Sequence, residues 1–257
     1  MLEAVQHGEN AFVTLTYSDD QLPSDLSVSP AEISLFSKRL RKARGRQTRY
    51  FAVGEYGDTT GRPHYHLAMF GQPQCLRGRT RLDLEFCCPV CDEIRRTWKK
   101  GAIEVACLDE GSARYVARYT TKKWTRGDAP GLEGRLPEFA RMSLRPAIGL
   151  TALDEIASVI LEQEAQGAKY VDVPVSLAFG TTQFPLGRYL RRQLRARIGR
   201  PLNTPEAVIA AIETPLQEMR KVAQANQGGL REKVLDASLG RRQRIEAKHA
   251  REKKGSI

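Results

Sequence analysis

One stretch of this chain restricts its fold more than any other. Tyr50–Glu55 reads as a strand, Gly57 and Gly61 mark a turn, and His64–Phe70 alternates as a second strand, so the two form a hairpin. Successive side chains on a strand point to opposite faces. His64 and His66 therefore share one face, while Tyr65, Leu67 and Met69 take the other, which is the core side. The turn can bring Glu55 beside the two imidazoles. Two histidines and one carboxylate can hold one divalent cation and leave positions open for water and a phosphate oxygen. Two exposed strand histidines with no metal role would give the same pattern. The chain has 4 His in 257 residues, however, and two of them fall here.

A second constellation lies at Tyr115-Val116-Ala117-Arg118-Tyr119-Thr120-Thr121-Lys122-Lys123. On a helix Tyr115 and Tyr119 are i and i+4, with Cβ atoms about 5–6 Å apart. Each has a cation three positions on, Arg118 and Lys122. A free phenol has a pKa near 10, so only about one in a thousand is ionised at neutral pH. A nearby cation favours the attacking phenolate and stabilises charge on a phosphoryl transition state. The competing reading is an amphipathic helix burying two aromatics.

The rest of the chain supplies further elements. Residues 11–17 alternate apolar and hydroxyl side chains and read as a strand. Ser29-Pro30-Ala31-Glu32 opens a helix with Ser29 as N-cap, and the helix ends in a basic run from Lys38 to Arg49. Residues 92–99 read as a short helix and 102–108 as a strand. Residues 112–124 read as a helix capped by Ser112. Beyond about residue 150 come an amphipathic helix at 151–166 and an irregular strand–loop at 171–186. A basic segment at 187–200 contains no acid, and a helix at 204–226 precedes a basic tail. The expected domains are 1–150 and a helical, basic 151–257.

The formal net charge of +11 suggests a polyanionic partner, since neutralising phosphates releases condensed counterions. The chain has no apolar run long enough to predict a membrane span, and no secretory signature is present. Five cysteines form no disulfide framework, so a reducing, cytoplasmic setting is expected. Cys87, Cys88 and Cys91 give a Cys-X2-Cys near Cys75 and Cys107, but a second pair at regular spacing is missing. Reduced, partly buried thiols are expected there in preference to structural Zn2+. Trp98, Trp124 and Tyr56 can stack on bases, but core packing is the expectation for them. The basic runs at 38–49, 187–200 and 241–254, taken with the other motifs, are expected along a phosphate backbone.

These motifs, in this order, resemble the HUH endonucleases, and specifically the microvirus (gokushovirus-like) replication initiators. Phe12-Val13-Thr14-Leu15-Thr16-Tyr17 resembles their first motif. Gly54-Glu55-Tyr56-Gly57 through Arg62-Pro63-His64-Tyr65-His66, with Phe70-Gly71, resembles the second. The Tyr115–Lys123 segment resembles the third. The likeness covers roughly residues 10–150.

It implies an α+β fold, with a central antiparallel β-sheet of about five strands flanked by helices (HUH/RRM-like). The helical, basic region follows as an extension. It implies that Tyr115 or Tyr119 attacks a phosphate at a single-stranded DNA origin, with the two alternating between rounds. Glu55, His64 and His66 would hold Mg2+ or Mn2+, and Lys122 would partner the phosphate or phenolate. Thr14, Thr16, Arg118 and Lys123 would contact DNA. A host polymerase would extend the 3′ end and a host helicase would unwind, since the 257 residues contain no Gly-X4-Gly-Lys-Ser/Thr. A longer segment is expected ahead of the first strand in this family than the ten residues seen here. Two other readings stand beside this one: a tyrosine transposase or relaxase, and a noncatalytic nucleic-acid-binding protein on an RRM-like sheet.

Overall fold

The computed structural model describes residues 1–57, 60–82, 84, 86–118 and 132–225. The chain divides into two compact units, Met1–Ile156 and Ala157–Ile257. The first is built on five antiparallel strands: β1 (Asn10–Thr16), β2 (Arg49–Tyr56), β3 (Pro63–Phe70), β4 (Ile103–Cys107) and β5 (Phe139–Met142). Their order is β4-β1-β3-β2-β5, so β3 is central. Helices α1 (Pro30–Arg44), α2 (Pro89–Trp98) and α3 (Glu110–Arg118) flank the sheet.

Period-two alternation sorts the side chains of these strands. Val13, Leu15, Tyr65, Leu67, Met69, Ala52 and Val105 face a core completed by Ile33, Phe36 and Leu40 of α1 and Ile94 and Trp98 of α2. Burying each large apolar side chain contributes roughly 1.5–3 kcal/mol. Trp98 and Tyr56 lie in this core, as expected for aromatics of their kind. Tyr65 brings a hydroxyl into it. That oxygen lies 2.9 Å from Tyr17 Oη and accepts the Ser29 N–H at 2.9 Å, so its burial leaves no unmet polar group. Ser29 caps α1 as predicted, its Oγ accepting the Ala31 N–H at 3.3 Å.

Two readings need correction. The third helix begins at Glu110, and its cap is Asp109, not Ser112. Asp109 Oδ1 accepts the Ser112 N–H at 2.7 Å while Ser112 Oγ accepts the Asp109 N–H at 2.9 Å. This reciprocal capping box places Ser112 at the third helical position. The predicted extension of the helix to residue 124 lies outside the described residues. The second helix begins at Pro89, three residues before the predicted start, because proline suits a first helical turn.

The second unit contains the C-terminal part of α4 (Ala152–Ala165), a hairpin of β6 (Ser176–Phe179) and β7 (Thr182–Pro185), then α5 (Arg188–Arg197) and α6 (Glu206–Ala225). The expected irregular strand–loop is thus a regular two-stranded hairpin. The predicted basic tail and the end of the last predicted helix lie outside the described residues. No described helix is long and apolar enough to cross a membrane.

The hydrogen bonds from the Ser112 backbone and side chain hold the Asp109 carboxyl below the usual carboxylate range. The cap should then act fully above about pH 4 and fade as acid protonates that carboxyl. Asp109→Ala should lower the unfolding free energy by about 1 kcal/mol at neutral pH. Urea unfolding checks this, and an unchanged midpoint would remove Asp109 as the cap.

Candidate functional site

The sheet face opposite the core carries the chemistry. The register pairs Thr14 with His66 and Thr16 with His64 on one side of β3, and Glu55 with His64 and Val53 with His66 on the other. Cross-strand partners share a face, so Thr14, Thr16, Glu55, His64 and His66 all project together.

Glu55 and His66 are buried, at 4% and 8% exposure, and their Oε1 and Nε2 lie 2.8 Å apart. On its other nitrogen His66 meets Thr14 Oγ1 at 3.0 Å. An imidazole protonated at Nε2 satisfies both contacts, donating to the carboxylate and accepting from the hydroxyl. A hydroxyl can also accept, so Thr14 equally supports the tautomer that leaves Nε2 bare for a metal.

His64 is pressed against the turn. A Cβ on Gly57 would fall 2.6 Å from its Nε2, so only glycine allows the ring this position. Its Nδ1 is buried and has no hydrogen-bond partner among the described residues. Burial depresses the His64 pKa, with smaller contributions from His66 and Arg62, against an opposing pull from Glu55. A neutral imidazole with an unmet nitrogen suits a ligand. Two imidazoles and a carboxylate on one face thus fit a divalent cation. The Glu55 carboxylate is meanwhile engaged directly by its neighbours, and the three groups do not form a closed cage. Binding a cation would exchange the Glu55–His66 hydrogen bond for two bonds to the ion.

Helix α3 brings the tyrosine. The Tyr115 hydroxyl donates to Glu55 Oε1 at 3.3 Å, and its ring meets His66 edge-on at 5.2 Å between centroids. Val116 is buried beside it, and Tyr115 itself is 38% exposed. The phenol oxygen therefore lies over the candidate ligands while its ring still reaches solvent. Tyr119, Lys122 and Lys123 lie outside the described residues. Arg118 ends α3, and its side chain lies outside them too.

Sequence reasoning passed over three residues here. Phe12 stacks on His66 at 5.7 Å and meets Tyr115 edge-on at 6.1 Å. Its position, two before Thr14 on the same strand, was the available signal. Gly57 was read only as a turn residue. Glu138 is buried at 4%, with Oε1 accepting the Tyr56 N–H at 3.2 Å, one position before the Phe139 that pairs with Gly54. No local pattern marked it.

The basic run after α1 is more structural than its charge suggested. Arg39 donates to the carbonyls of Thr97 and Trp98 at the end of α2. Arg44 bonds Gln72, and Arg49 bonds Glu3 and the Pro146 carbonyl. Lys38, Arg41 and Lys42 keep more of their surface in solvent. In the second unit Arg191 and Arg195 both meet Asp172, an acid from outside the basic segment, while Arg188 and Arg192 reach solvent.

Residues 10–124 match the profile of a family described as replication-associated protein ORF2. Among curated proteins the chain is 34% identical over 138 residues to replication-associated protein ORF4 of Chlamydia phage 1, covering 49% of this chain and 34% of that protein. It is 36% identical over 135 residues to replication-associated protein VP4 of Bdellovibrio phage phiMH2K, covering 49% and 42%. It is 34% identical over 195 residues to replication-associated protein ORF2 of Spiroplasma virus 4, covering 72% and 58%. The chain thus spans between about a third and three fifths of the length of these relatives. No solved structure matches it significantly.

Because Gly57 is set by the His64 ring, Gly57→Ala should cost about 1–3 kcal/mol in overpacking. It should also shift the His64 imidazole resonances in NMR spectra while leaving those of His7 in place. Unmoved His64 signals would show that the ring does not depend on this glycine.

Proposed function

We propose that this chain, a member of the replication-associated ORF2 family through residues 10–124, initiates rolling-circle replication by nicking single-stranded DNA at an origin. The contact that carries this reading is the Tyr115 hydroxyl on Glu55, which is itself bonded to His66. A candidate nucleophile and a candidate ligand set meet on one sheet face. The names of the phage relatives support the replication role.

In this reading Glu55, His64 and His66 hold one Mg2+ or Mn2+, which when bound supplies Lewis-acid stabilisation of the scissile phosphate. Thr14 orients the His66 ring, and Phe12 packs against both His66 and Tyr115. The Tyr115 oxygen attacks phosphorus as its proton leaves toward the carboxylate it faces. The new Oη–P bond forms while the bond from phosphorus to the 3′ oxygen breaks, and that oxygen leaves with a proton as a 3′-OH. A host polymerase extends this end, and a host helicase unwinds the duplex. Since the phosphotyrosine keeps the bond energy, a later 3′-OH reseals the circle without ATP. Tyr119 serves as the alternate nucleophile, and Arg118, Lys122 and Lys123 stabilise phosphate charge. Thr16 and the cations Lys38, Arg41 and Lys42 of the first unit contact the strand, as do Arg188 and Arg192 of the second.

Incubation with labelled single-stranded oligonucleotides from its own genome and Mn2+ should yield a covalent adduct on a denaturing gel. EDTA and the Tyr115→Phe/Tyr119→Phe double substitution should each abolish it. Binding without an adduct on any oligonucleotide would instead favour a noncatalytic nucleic-acid-binding protein. Thr14→Val keeps the strand-forming shape but removes the hydroxyl on His66. It should weaken Mn2+ binding about 10–100-fold by calorimetry, the usual range for losing a group that orients a ligand. Unchanged affinity would exclude that role for Thr14.

A further inference from the structure

The stretch between β3 and α2 gathers a second set of donor atoms. Cys75 lies in this loop, Cys87 and Cys88 close it, and Cys91 occupies the first turn of α2. All four are buried, at 4% exposure or less. Cys75 Sγ lies 3.6 Å from Cys87 Sγ and 3.8 Å from Cys88 Sγ, and the four sulfurs all fall within 4.8 Å of one another. A disulfide needs sulfurs about 2.05 Å apart, well inside these contacts. Four sulfurs placed tetrahedrally at about 2.3 Å from zinc stand about 3.8 Å from each other. The cluster has that number of sulfurs and a spacing close to it.

The surroundings fit thiolates. The backbone N–H of Arg77 donates to Cys75 Sγ at 3.4 Å, and that of Arg81 donates to Cys87 Sγ at 3.3 Å. Thr80 Oγ1 lies 3.1 Å from Cys91 Sγ. Cys88 is the N-cap of α2, so the positive end of the helix dipole points at the cluster. A buried neutral thiol packs as a small apolar group and needs none of these donors, whereas a thiolate does.

We infer that Cys75, Cys87, Cys88 and Cys91 bind one structural Zn2+ in a closed tetrathiolate site. The adjacent pair Cys87–Cys88 and the single Cys75 do not form the regular two-pair spacing by which such sites are read from sequence. The loop fold-back supplies what the spacing lacks. The site fastens a long stretch without regular structure between Phe70 and Pro89. Thr80 ties the same stretch to β4, its Oγ1 accepting the Val105 N–H at 2.8 Å and its N–H donating to the Val105 carbonyl at 3.0 Å. Cys107 is exposed and stands outside the cluster. This inference is independent of the nicking reading, because its readout is metal content and spectrum.

Full-length protein from zinc-supplemented medium should retain one zinc per chain after exhaustive dialysis, by plasma mass spectrometry. Replacement with Co2+ should give thiolate-to-cobalt charge transfer and the visible bands of a tetrahedral ion. Cys75→Ser and Cys91→Ser should each lose these signals. Cys107→Ser and His64→Ala/His66→Ala should keep them, which separates this site from the histidine face. If a serine variant fails to fold, the wild-type Co2+ spectrum under reducing conditions still decides. No charge-transfer band in that titration overturns the proposal. So does zinc that is lost with the histidines and retained without the cysteines, a metal-free chain two hydrogens lighter than its reduced mass, or an iron-coloured centre.

Discussion

The register of β3 between β1 and β2 is the constraint on which the rest of the structure depends. Strand side chains alternate, so a slip of one residue would exchange His64 and His66 for Tyr65 and Leu67. Several interactions forbid it. The turn closes with the Gly57 N–H on the Arg62 carbonyl at 2.9 Å and the Gly61 N–H on the Gly57 carbonyl at 2.8 Å. Arg62 then reaches the Tyr17 carbonyl and Asp19 beyond the end of β1. On the core face, the Tyr65 hydroxyl meets Tyr17 and the N-cap of α1. The slipped register would bury imidazoles in an apolar core and turn that hydroxyl outward, so the core side holds the polar side in place.

Local information explains which elements could be read from the sequence. The β2–β3 hairpin carries its own turn glycines and its own alternation, and β1 alternates just as plainly. Ser29 announces the start of α1 because a cap is a contact between close neighbours. Strand β5 was different. Phe139–Met142 is short and largely exposed, and it is a strand because β2 offers it an edge, which its own four residues do not encode. The Asp109 cap was missed because Ser112 has equal propensity, and only the direction of the hydrogen bonds separates the two roles. At the site, the Glu55, His64 and His66 placements follow from period two. The contacts of Phe12, Gly57 and Glu138 depend on packing across strands, which no local window contains.

Charge counts mislead in a comparable way. A net charge of +11 invites a reading in which every basic run faces a polyanion. Yet arginine has a fork of donors suited to carbonyls and carboxylates, and this protein uses several of them internally. Arg39 satisfies carbonyls at the C-terminus of α2, where a helix leaves acceptors unmet. Arg195 is buried against Asp172, and the pair holds that carboxyl at about 2, far below its usual range. The cations left for a phosphate backbone are those that geometry leaves in solvent, a smaller set than composition implies.

The two candidate metal environments obey opposite rules, and the fold separates them accordingly. Glu55, His64 and His66 offer nitrogen and oxygen on one open sheet face, with Tyr115 above them still partly in solvent. A catalytic ion needs open positions and exchange, so a cage closed on all sides would defeat it. The cysteine cluster offers four sulfurs, each buried, with backbone donors directed at them. Such a set closes around its ion and excludes substrate, which suits a fastener and not a reaction. Softness of the donors enforces the division, because thiolates select zinc while imidazole and carboxylate accept magnesium or manganese. A chain working on phosphate can therefore hold both kinds of site without each capturing the other's metal.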